Sequence, residues 1–317
     1  MDTIWISWHL SRRSVSLSKE LNVPLVVYVN ERNAFTRHLF SSLWTIYILL
    51  KERPSKIFMQ YSFMLLLVVY FYKKIRRKYV CVVCDCHTKA LRRKLENNLS
   101  AVFFYLKKLT FQASDICIIS NEELIDEVKI YCNNHVVLPD PIPVLTYPSD
   151  VTFKNENYCV YSNSYSIDEP FAEVVEAAKK LNGILKIFIT GRIPNDMEYL
   201  KSQPYENIYF TDFLPDDKYN ALLANAQCVL ALTTEESTLL CASYEALSLN
   251  TPLITSDTRV LREYFHGAVI HSKITACEIS ESIKNCLQQK TIIKKKMLKL
   301  KKNKQHEINM KLSSLMN

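Results

Sequence analysis

Residues 227–257 read QCVLALTTEESTLLCASYEALSLNTPLITSD, and this stretch decides the fold class. It opens on an apolar run at 227–232, passes through a polar loop into a helical pattern at 238–248, and ends on a second apolar run at 252–255. A strand, a helix and a strand in this order predict a parallel strand pair joined by a helical crossover. We therefore expect an α/β domain with helices on both faces of its sheet.

The same alternation extends from this stretch over most of the chain. Strands are predicted at 3–8, 24–29, 55–60, 79–84, 115–119, 135–138, 157–161, 185–190, 207–211, 227–232, 252–255 and 268–271. Helices are predicted at 11–22, 35–52, 61–74, 90–112, 122–132, 169–182, 194–200, 216–225, 238–248, 258–265, 276–289 and 290–312. The segment 139–143 interrupts the pattern with three prolines, which neither a helix nor a central strand tolerates.

This pattern predicts two doubly wound, Rossmann-like α/β domains that face a cleft. We place them at residues 1–143 and 144–289, followed by a basic C-terminal helix or tail at 290–317. The length of 317 residues suits two domains at about 150 residues each. Only three glycines are present, which excludes the Gly-rich loops of dinucleotide-binding and Walker A sites. Ligands of such sheets bind beyond the carboxyl ends of the strands, so the loops there are the candidate sites.

The loop and helix at 233–248 form the strongest candidate site. Free N–H groups and the dipole at the start of this helix attract an anion such as a diphosphate. Ser237 or Thr238 is expected to cap the helix. Glu245 lies about two turns further along, where its carboxylate could accept hydrogen bonds from a ribose diol. The alternative is a capped surface helix that carries one solvated glutamate.

Residues 232–257 resemble the donor-binding segment of GT-B glycosyltransferases, in particular the bacterial family 4 type that makes surface polysaccharides. The resembling features are a loop, Glu245-Ala246 on a helix, and a strand that begins at Pro252 and ends at Ser256-Asp257. Weaker resemblances cover most of residues 4–271. They comprise Trp8, Arg12-Arg13-Ser14, Gln60, Asp85-Cys86-His87, Asp168-Glu169-Pro170, Ile189-Thr190-Gly191, residues 211–215 and residues 261–265.

The resemblance implies transfer of one sugar from a nucleoside-diphosphate sugar to a saccharide acceptor, carried on a lipid. It implies no metal and no further cofactor, because such enzymes neutralise the leaving diphosphate with helix dipoles and basic side chains. The residues that it places around the donor are Ser237, Thr238, Leu239, Glu245, Gly191 and Arg192. Arg192, directly after Gly191, is the candidate for the phosphate-binding cation that this chain lacks; alternatively, it is a solvated loop arginine.

The first domain is expected to supply the catalytic residues. In relatives, a histidine at the position of His87 contacts the transferred sugar, and Asp85 could orient it or act as a base toward the acceptor. The alternative is that Asp85 caps a helix and His87 packs. Arg12 and Arg13 could hold the diphosphate of the nucleotide or of a polyprenyl-linked acceptor. Their alternative is a solvated first helical turn.

Several positions depart from the family pattern. Relatives carry two glutamates eight positions apart, whereas here position 237 is serine and Glu236 lies nine positions before Glu245. Asn250 replaces a usual glycine, and the Arg/Lys pair that often binds the diphosphate is absent from 162–166. These departures leave two alternatives: a non-catalytic GT-B-like partner subunit, or a sugar-nucleotide epimerase on the same fold.

The basic residues form two clusters, at 73–78 and 290–304, in a chain of net charge +8. The first cluster follows an apolar run at 63–72, which is shorter than the roughly 20 residues of a spanning helix. This pattern predicts a helix on an anionic membrane surface; the alternative is a buried core helix with a solvated basic end. Nucleic acid is not an expected partner, because no motif positions these cations on it.

Ten cysteines occur in a chain whose first residues lack the pattern of a signal peptide. We therefore expect reduced thiols and a cytoplasmic protein, held peripherally at the inner face of the cell membrane. Cys81, Cys84, Cys86 and His87 are spaced closely enough for zinc, but a second ligand pair is missing. The segment also has the pattern of a buried strand, so no metal site is predicted.

Overall fold

The structure is a computed structural model that describes residues 1–29, 33–76, 78–86, 91, 100–147 and 157–316. The chain divides into two compact units. Unit 1 combines Met1–Pro141 with Glu307–Asn317, and unit 2 comprises Ile142–His306. The division lies two residues before the sequence-based boundary at 143. The C-terminal segment is not a separate tail, because its residues contribute to both units.

Unit 1 is built on a six-stranded parallel sheet of order β2-β1-β3-β4-β5-β6. Its strands are β1 (Thr3–Ser7), β2 (Leu25–Val27), β3 (Lys56–Gln60), β4 (Cys81–Asp85), β5 (Ile116–Ile119) and β6 (His135–Val137). Its described helices are α1 (Arg12–Glu20), α2 (Ala34–Glu52), α3 (Phe63–Ile75), α4 (Ser100–Phe111) and α5 (Ile125–Lys129), with a 3-10 turn at Glu122–Leu124.

Unit 2 repeats the plan with the parallel order β12-β11-β10-β7-β8-β9. Its strands are β7 (Tyr158–Tyr161), β8 (Lys186–Thr190), β9 (Ile208–Asp212), β10 (Val229–Ala231), β11 (Leu253–Ser256) and β12 (Ile270–Ser272). Its helices are α6 (Phe171–Lys180), α7 (Asp216–Asn225), α8 (Cys241–Leu249), α9 (Arg259–Phe265) and α10 (Ala276–Gln288). The final helix, α11 (Lys290–Met316), begins in unit 2 and ends in unit 1.

The predicted pair of doubly wound α/β domains is confirmed. The apolar runs are continuous because both faces of each sheet are covered. In unit 1, Ile57 and Met59 pack in one core cluster with residues of α2 and α3. Phe58 points to the opposite face, where it packs with residues of α1 and with Ile308 and Leu312 of α11. The segment 194–200 forms a 3-10 helix (Asn195–Ser202) rather than the predicted α-helix.

Each sheet has one point where the strand order reverses, and this point predicts where a ligand binds. In unit 1 the reversal lies between β1 and β3, and in unit 2 it lies between β7 and β10. Within the described ranges, no helix combines the length and the hydropathy of a bilayer-crossing segment.

Candidate active site

The loops after β7 and β10 are joined by hydrogen bonds at the reversal point of unit 2. Thr233 Oγ1 donates to Asp168 Oδ2 at 2.9 Å, and the Thr234 N–H donates to the Asp168 carbonyl at 2.7 Å. The Thr233 N–H donates to Ser256 Oγ at 2.7 Å, which connects the end of β11. These hydrogen bonds join the loops after β7 and β10 to the end of β11, and together they form one polar surface at the carboxyl edge of the sheet.

Helix α8 begins at this edge without a side-chain cap. Its first residue is Cys241, so the helix starts three residues after the predicted position, and the prediction that Ser237 or Thr238 caps it is wrong. Leu240 occupies the N-cap position and offers no acceptor. Ser243 in the first turn is buried, and its Oγ has no hydrogen-bond partner among the described residues. The N–H groups and dipole of this turn favour an anion.

Glu245 presents its carboxylate in the second turn of α8, with only 7% of the residue exposed. Its Oε2 accepts a hydrogen bond from the Tyr219 hydroxyl at 2.9 Å. The same hydroxyl lies 2.8 Å from Ser162 Oγ, directly after β7. A buried carboxylate requires such partners. Tyr219 and Ser162 therefore hold Glu245 near the end of β7, on the helix whose first turn lacks a side-chain cap.

Two departures from the family pattern have local structural explanations. Glu236 Oε1 accepts a hydrogen bond from the Arg259 N–H at 2.6 Å, so this carboxylate binds the first N–H of α9, the helix that Thr258 caps. Asn250 ends α8 at φ 55°, in the left-handed region. Asparagine tolerates this conformation better than most residues, and it therefore replaces the glycine that is usual at this position.

The loop after β7 is organised by a carboxylate instead of a cation. Glu169 Oε2 accepts hydrogen bonds from the N–H groups of Ser164 at 2.7 Å and Ser166 at 3.1 Å. It also accepts one from the Ser164 hydroxyl at 2.9 Å. These N–H groups are occupied by the protein itself, which agrees with the absence of an Arg/Lys pair from this loop.

Gly191 brings the loop after β8 against the loop after β7. Its φ is +99°, and a Cβ there would lie 2.1 Å from the carbonyl oxygen of Asn163. No other residue type therefore fits without moving the backbone. Arg192 follows with an exposed side chain, whose guanidinium carbon lies 6.0 Å from the centre of the Phe213 ring.

Arg13 of unit 1 is buried in a network of acceptors. Its Nε donates to both oxygens of Asp85, at 2.9 and 3.0 Å, and its Nη2 donates to the Leu138 carbonyl at 2.9 Å. Its Nη1 is paired with Asp140. Burial alone disfavours the charged guanidinium, but the two carboxylates outweigh it and raise the pKa of Arg13. Arg13 therefore joins α1 to the ends of β4 and β6.

This network differs from the roles expected for its members. Arg13 was expected to hold a diphosphate, yet its guanidinium faces protein carboxylates. Asp85, expected to act on the acceptor or on His87, is 1% exposed and paired with Arg13. His87 lies outside the described residues. Arg12 is exposed in the first turn of α1.

The reversal point of unit 1 is closed by its own side chains. Gln60 Oε1, at the end of β3, accepts hydrogen bonds from the hydroxyls of Ser7 at 3.3 Å, Ser11 at 3.2 Å and Ser14 at 2.9 Å. Ser11 Oγ in turn accepts the Ser14 N–H and caps α1. This polar edge is thus satisfied internally.

The cysteines weighed as zinc ligands lie on opposite faces of β4. Cys84 and Cys86 pack in one core cluster with their sulfurs 3.8 Å apart, whereas Cys81 packs in the other cluster. In the described part of the chain, no group of three or more His, Cys, Asp or Glu side chains could hold a metal ion.

The sequence of unit 2 matches a known family. The model of the family described as glycosyl transferases group 1 matches residues 148–307, which is half of the chain. The chain belongs to the group 1 glycosyl transferases. The matched range includes the loop 233–240, helix α8 and Glu245.

Solved structures share the fold of this glycosyltransferase over its full length. HepE (Alr3699) of Anabaena, in complex with UDP, has 12% identity and a TM-score of 0.73, covering 100% of this chain and 99% of its own. Sucrose-phosphate synthase of Thermosynechococcus elongatus has 10% identity and a TM-score of 0.74, covering 100% and 98%. A glycosyltransferase of Rickettsia africae has 12% identity and a TM-score of 0.71, covering 99% and 96%. No curated protein matches this chain in sequence.

Some of the predicted donor residues lie together at the carboxyl edge of the unit 2 sheet, and further residues that the sequence did not single out lie beside them. Glu245 and the start of α8 lie beside the residues after β7, and Ser237 is buried within the connecting loop. The sequence did not single out Tyr219, Ser162 or Thr233 as site residues. The position of Ser162 directly after a predicted strand was an available signal; no sequence signal links Tyr219 of α7 to Glu245.

Proposed function

We propose that this glycosyltransferase moves a sugar from a nucleoside-diphosphate sugar to a saccharide acceptor carried on a lipid, in the synthesis of a surface polysaccharide. The observation that carries the proposal is the uncapped first turn of α8 on the same helix as the buried carboxylate of Glu245. The shared fold with HepE, which binds UDP and UDP-glucose, supports a nucleotide sugar as the donor.

The donor diphosphate would lie at the first turn of α8. The N-cap residue of this helix makes no side-chain cap, and a diphosphate would supply oxygen acceptors with the charge that the helix dipole favours. The hydroxyl of Ser243 would gain a partner at the same place. Ser237, Thr238 and Leu239 would contact the diphosphate or the sugar from the preceding loop.

Glu245 would accept hydrogen bonds from the ribose hydroxyls of the nucleotide. A carboxylate accepts from two hydroxyls at once, and Tyr219 fixes its orientation. Arg192, with an exposed side chain, would supply the cation that the loop 162–166 lacks. Because helix dipole and guanidinium both stabilise the leaving diphosphate, the reaction would need no metal.

Unit 1 would supply the acceptor side. The resemblance assigns His87 to the transferred sugar and implies retention of the anomeric configuration. Because Arg13 holds Asp85, we assign Asp85 the role of positioning the chain that leads to His87. Arg12, exposed at the start of α1, would bind the diphosphate of a polyprenyl-linked acceptor.

The donor assignment is tested by titration calorimetry with UDP-, GDP- and dTDP-sugars. Wild type is expected to bind one of these donors, and Glu245→Gln to bind it at least about tenfold more weakly, because hydrogen bonds to a charged group contribute about 1.5–3 kcal/mol. Glu263→Gln on the exposed side of α9 is the matched control and should bind like wild type. Equal donor affinity in all three proteins would refute the role of Glu245.

The lipid-linked acceptor and the peripheral location at the inner face of the cell membrane belong to the same proposal. Transfer to a polyprenyl-diphosphate saccharide should exceed transfer to the free saccharide. Arg12→Gln should raise the KM for the lipid-linked acceptor without changing donor affinity. An equal KM for both acceptors would remove the lipid from the proposal.

A non-catalytic partner subunit is the second candidate, and one observation favours it. Glu169 places a carboxylate in the loop where related enzymes often carry cations, and it occupies the N–H groups there. A partner subunit would show no increase in Tm with any sugar nucleotide, whereas a donor-binding enzyme is stabilised by mass action. An epimerase would differ from both by forming product without an acceptor.

A further inference from the structure

Helix α2 of unit 1 buries Ser41, Thr45 and Leu49 and exposes a row of large apolar side chains. Asn33 caps the helix through the Thr36 N–H at 3.1 Å, and Arg53 ends it in the left-handed conformation. Ser41 and Thr45 are buried against the unit, one helical turn apart. Thr45 Oγ1 donates to the Ser41 carbonyl at 2.8 Å and accepts from Trp8 Nε1 at 2.9 Å. These bonds fix which side of α2 faces outward.

The outward side of α2 is apolar along the whole helix. We call it the α2 face; it consists of Phe35, Leu39, Leu43, Ile46, Tyr47 and Leu50, all of them exposed. Phe35 is 80% exposed, and Tyr47 and Leu50 are each 58% exposed. Their spacing places them on one side of a helix that is about 28 Å long. A surface of this kind marks an interaction site.

The neighbouring helices extend this surface. Helix α3 packs against both α2 and α4. It exposes Phe71 and Ile75, and α4 exposes Val102, Tyr105 and Leu106. The apolar surface is therefore wider than one helix, although α2 carries the longest continuous part of it.

The charges on the described helices α2, α3 and α4 are almost all positive. Glu52 is the single acidic residue in the sequences of α2, α3 and α4, and it pairs with the terminal ammonium at 2.9 Å. The exposed cations on these helices are Arg37, Lys51, Lys74 and Lys108. Lys51 and Lys74 lie 5.8 and 5.6 Å from the ring centres of Tyr47 and Tyr70. Cations and aromatic rings in this arrangement suit the boundary between lipid head groups and acyl chains.

We propose that α2 docks unit 1 on an anionic lipid bilayer, lying flat in the head-group region with the α2 face toward the acyl chains. The inference deepens the membrane part of the proposed function. The flat orientation follows from the apolar side chains, which extend from the first turn of α2 to the last. The exposed cations would contact anionic head groups and strengthen binding by about fivefold each at low salt.

A second copy of the chain fits this surface less well than a bilayer does. A twofold interface places the same patch on both partners, so that the four exposed cations would face their own copies. The three helices carry no exposed acid that could compensate them, because Glu52 is already paired. The basic end of α3 belongs to the docking surface, as the sequence predicted for 63–78. The exposed apolar residues of α11 are instead interspersed with lysines along 290–310.

Sedimentation with vesicles tests the proposal on the full chain. The α2 variant is Leu39→Gln/Leu43→Gln/Leu50→Gln. The control variant is Ile292→Gln/Leu298→Gln/Met310→Gln, which removes three exposed apolar side chains from α11. With vesicles of 30% phosphatidylglycerol in phosphatidylcholine at low salt, the partition constant should fall at least about 100-fold in the α2 variant and stay within about threefold in the control. Both variants should keep the Tm of wild type, since every substituted side chain is exposed.

A depth measurement gives an independent readout. Tyr47→Trp on the α2 face and Tyr199→Trp in unit 2 replace side chains of equal exposure, 58% each. Brominated lipids should quench the added tryptophan at position 47, above the wild-type signal, and leave the one at position 199 unquenched. Quenching at 199 alone, or at neither position, overturns the proposal.

Removal of the exposed lysine charges gives a third test of the proposal. Lys51→Gln/Lys74→Gln/Lys108→Gln should lower partitioning into anionic vesicles about 100-fold and remove most of its salt dependence. Wild-type partitioning in the α2 variant, or an equal loss in the α11 control, refutes the proposal. So does a dimer in light scattering that the α2 variant dissociates while neither protein binds vesicles.

The vesicle assays need neither donor nor acceptor, so their failure is distinguishable from failure of the proposed function. Glu245→Gln should sediment like wild type, and the α2 variant should keep wild-type donor affinity. Loss of both properties in the α2 variant would indicate misfolding, which the Tm detects. In that case the quenching of the tryptophan in Tyr47→Trp tests the membrane contact, because this variant changes only one exposed residue and should fold like wild type.

Discussion

The polar edges at the two reversal points differ in how their hydrogen bonds are satisfied. In unit 1, Gln60 accepts three serine hydroxyls and Arg13 faces two carboxylates, so the edge is closed by its own side chains. In unit 2, the first turn of α8 has no side-chain cap, and Ser243 Oγ is buried with no hydrogen-bond partner in the part of the chain that the structure describes. In the same fold, the polar side chains of one edge thus bind one another, whereas the other edge keeps hydrogen-bonding capacity for a ligand.

The largest expected effect comes from breaking the closed edge. Arg13→Ala leaves the buried carboxylate of Asp85 without its partner and should lower the free energy of unfolding of unit 1 by about 3–5 kcal/mol. The neighbouring Arg12→Ala, at an exposed position, should change it by no more than about 0.5 kcal/mol. Urea denaturation compares the two variants.

A double variant separates loss of the pair from loss of packing. Arg13→Met/Asp85→Leu removes both buried charges, so it should recover most of the stability that Arg13→Ala loses. Asp140 remains partly exposed and can be solvated. If Arg13→Ala proves as stable as Arg12→Ala, the network around Arg13 does not stabilise unit 1, and the contrast drawn between the two units is wrong.

The close approach of two loops in unit 2 gives the next largest effect. Gly191→Ala places a Cβ 2.1 Å from the Asn163 carbonyl oxygen at φ +99°, so it should lower the free energy of unfolding by about 2–3 kcal/mol. Gly183→Ala also has a positive φ, +75°, but meets no atom within 4 Å, and should lose about 1 kcal/mol. Thermal unfolding measures both; equal losses would show that the loop contact contributes nothing.

A side-chain cap on α8 should occupy the hydrogen-bonding groups of its first turn, as the side chains of unit 1 do at the other reversal point. Leu240→Asp and Leu240→Asn both supply an acceptor at the N-cap position, and this cap should contribute about 1 kcal/mol to the free energy of unfolding, which offsets the lost packing of Leu240 against the unit 2 core. Donor affinity should fall in both, and further in the aspartate variant because its charge repels the diphosphate. Calorimetry checks this order, and an unchanged donor affinity in both variants would place the diphosphate elsewhere.

The smallest expected effect concerns pH. Burial lowers the pKa of His271, which lies on β12 with its Nδ1 2.9 Å from Thr255 Oγ1. Because the unfolded chain then takes up a proton more readily than the folded one, the stability of unit 2 is full above pH 6.5 and decreases as the pH falls below it. His271→Gln should flatten this decrease between pH 7 and pH 5.5 in urea denaturation.

Asp257 is an acidic group of unit 2 that should not contribute to the pH dependence between pH 7 and pH 5.5. Its hydrogen bond with Arg262 lowers its pKa below 3.8, so its contribution is lost only in stronger acid. A pH dependence that is identical in wild type and His271→Gln between pH 7 and pH 5.5 would exclude the histidine as its source.

The sequence predicted the twelve strands of the described residues because each is a short apolar run, and the central ones, such as β7 and β10, are buried on both faces. It misplaced the start of α8, because Ser237 and Thr238 are good caps by residue type but the helix begins beyond them, after Leu240. It gave no sign that Arg13 points inward. That orientation depends on Asp140, which is distant in sequence and meets Arg13 only in the folded unit.

The apolar surface of unit 1 shows a second limit of the sequence. Helix α2 is apolar on nearly all sides, so periodicity alone cannot say which side is buried. The inward position of Ser41 and Thr45 is decided by packing and by the hydrogen bond from Trp8. The basic end of α3 was recognisable because its lysines follow one another in sequence.

The last helix has a consequence for how the protein is made. Ile308, Leu312 and Leu315 of α11 complete one of the two core faces of unit 1, together with Trp5 and Phe58 from its first strands. During synthesis, the first 141 residues emerge from the ribosome long before these three side chains. Unit 2 can complete most of its core while translation continues, whereas this core face of unit 1 is completed only once α11 has been made.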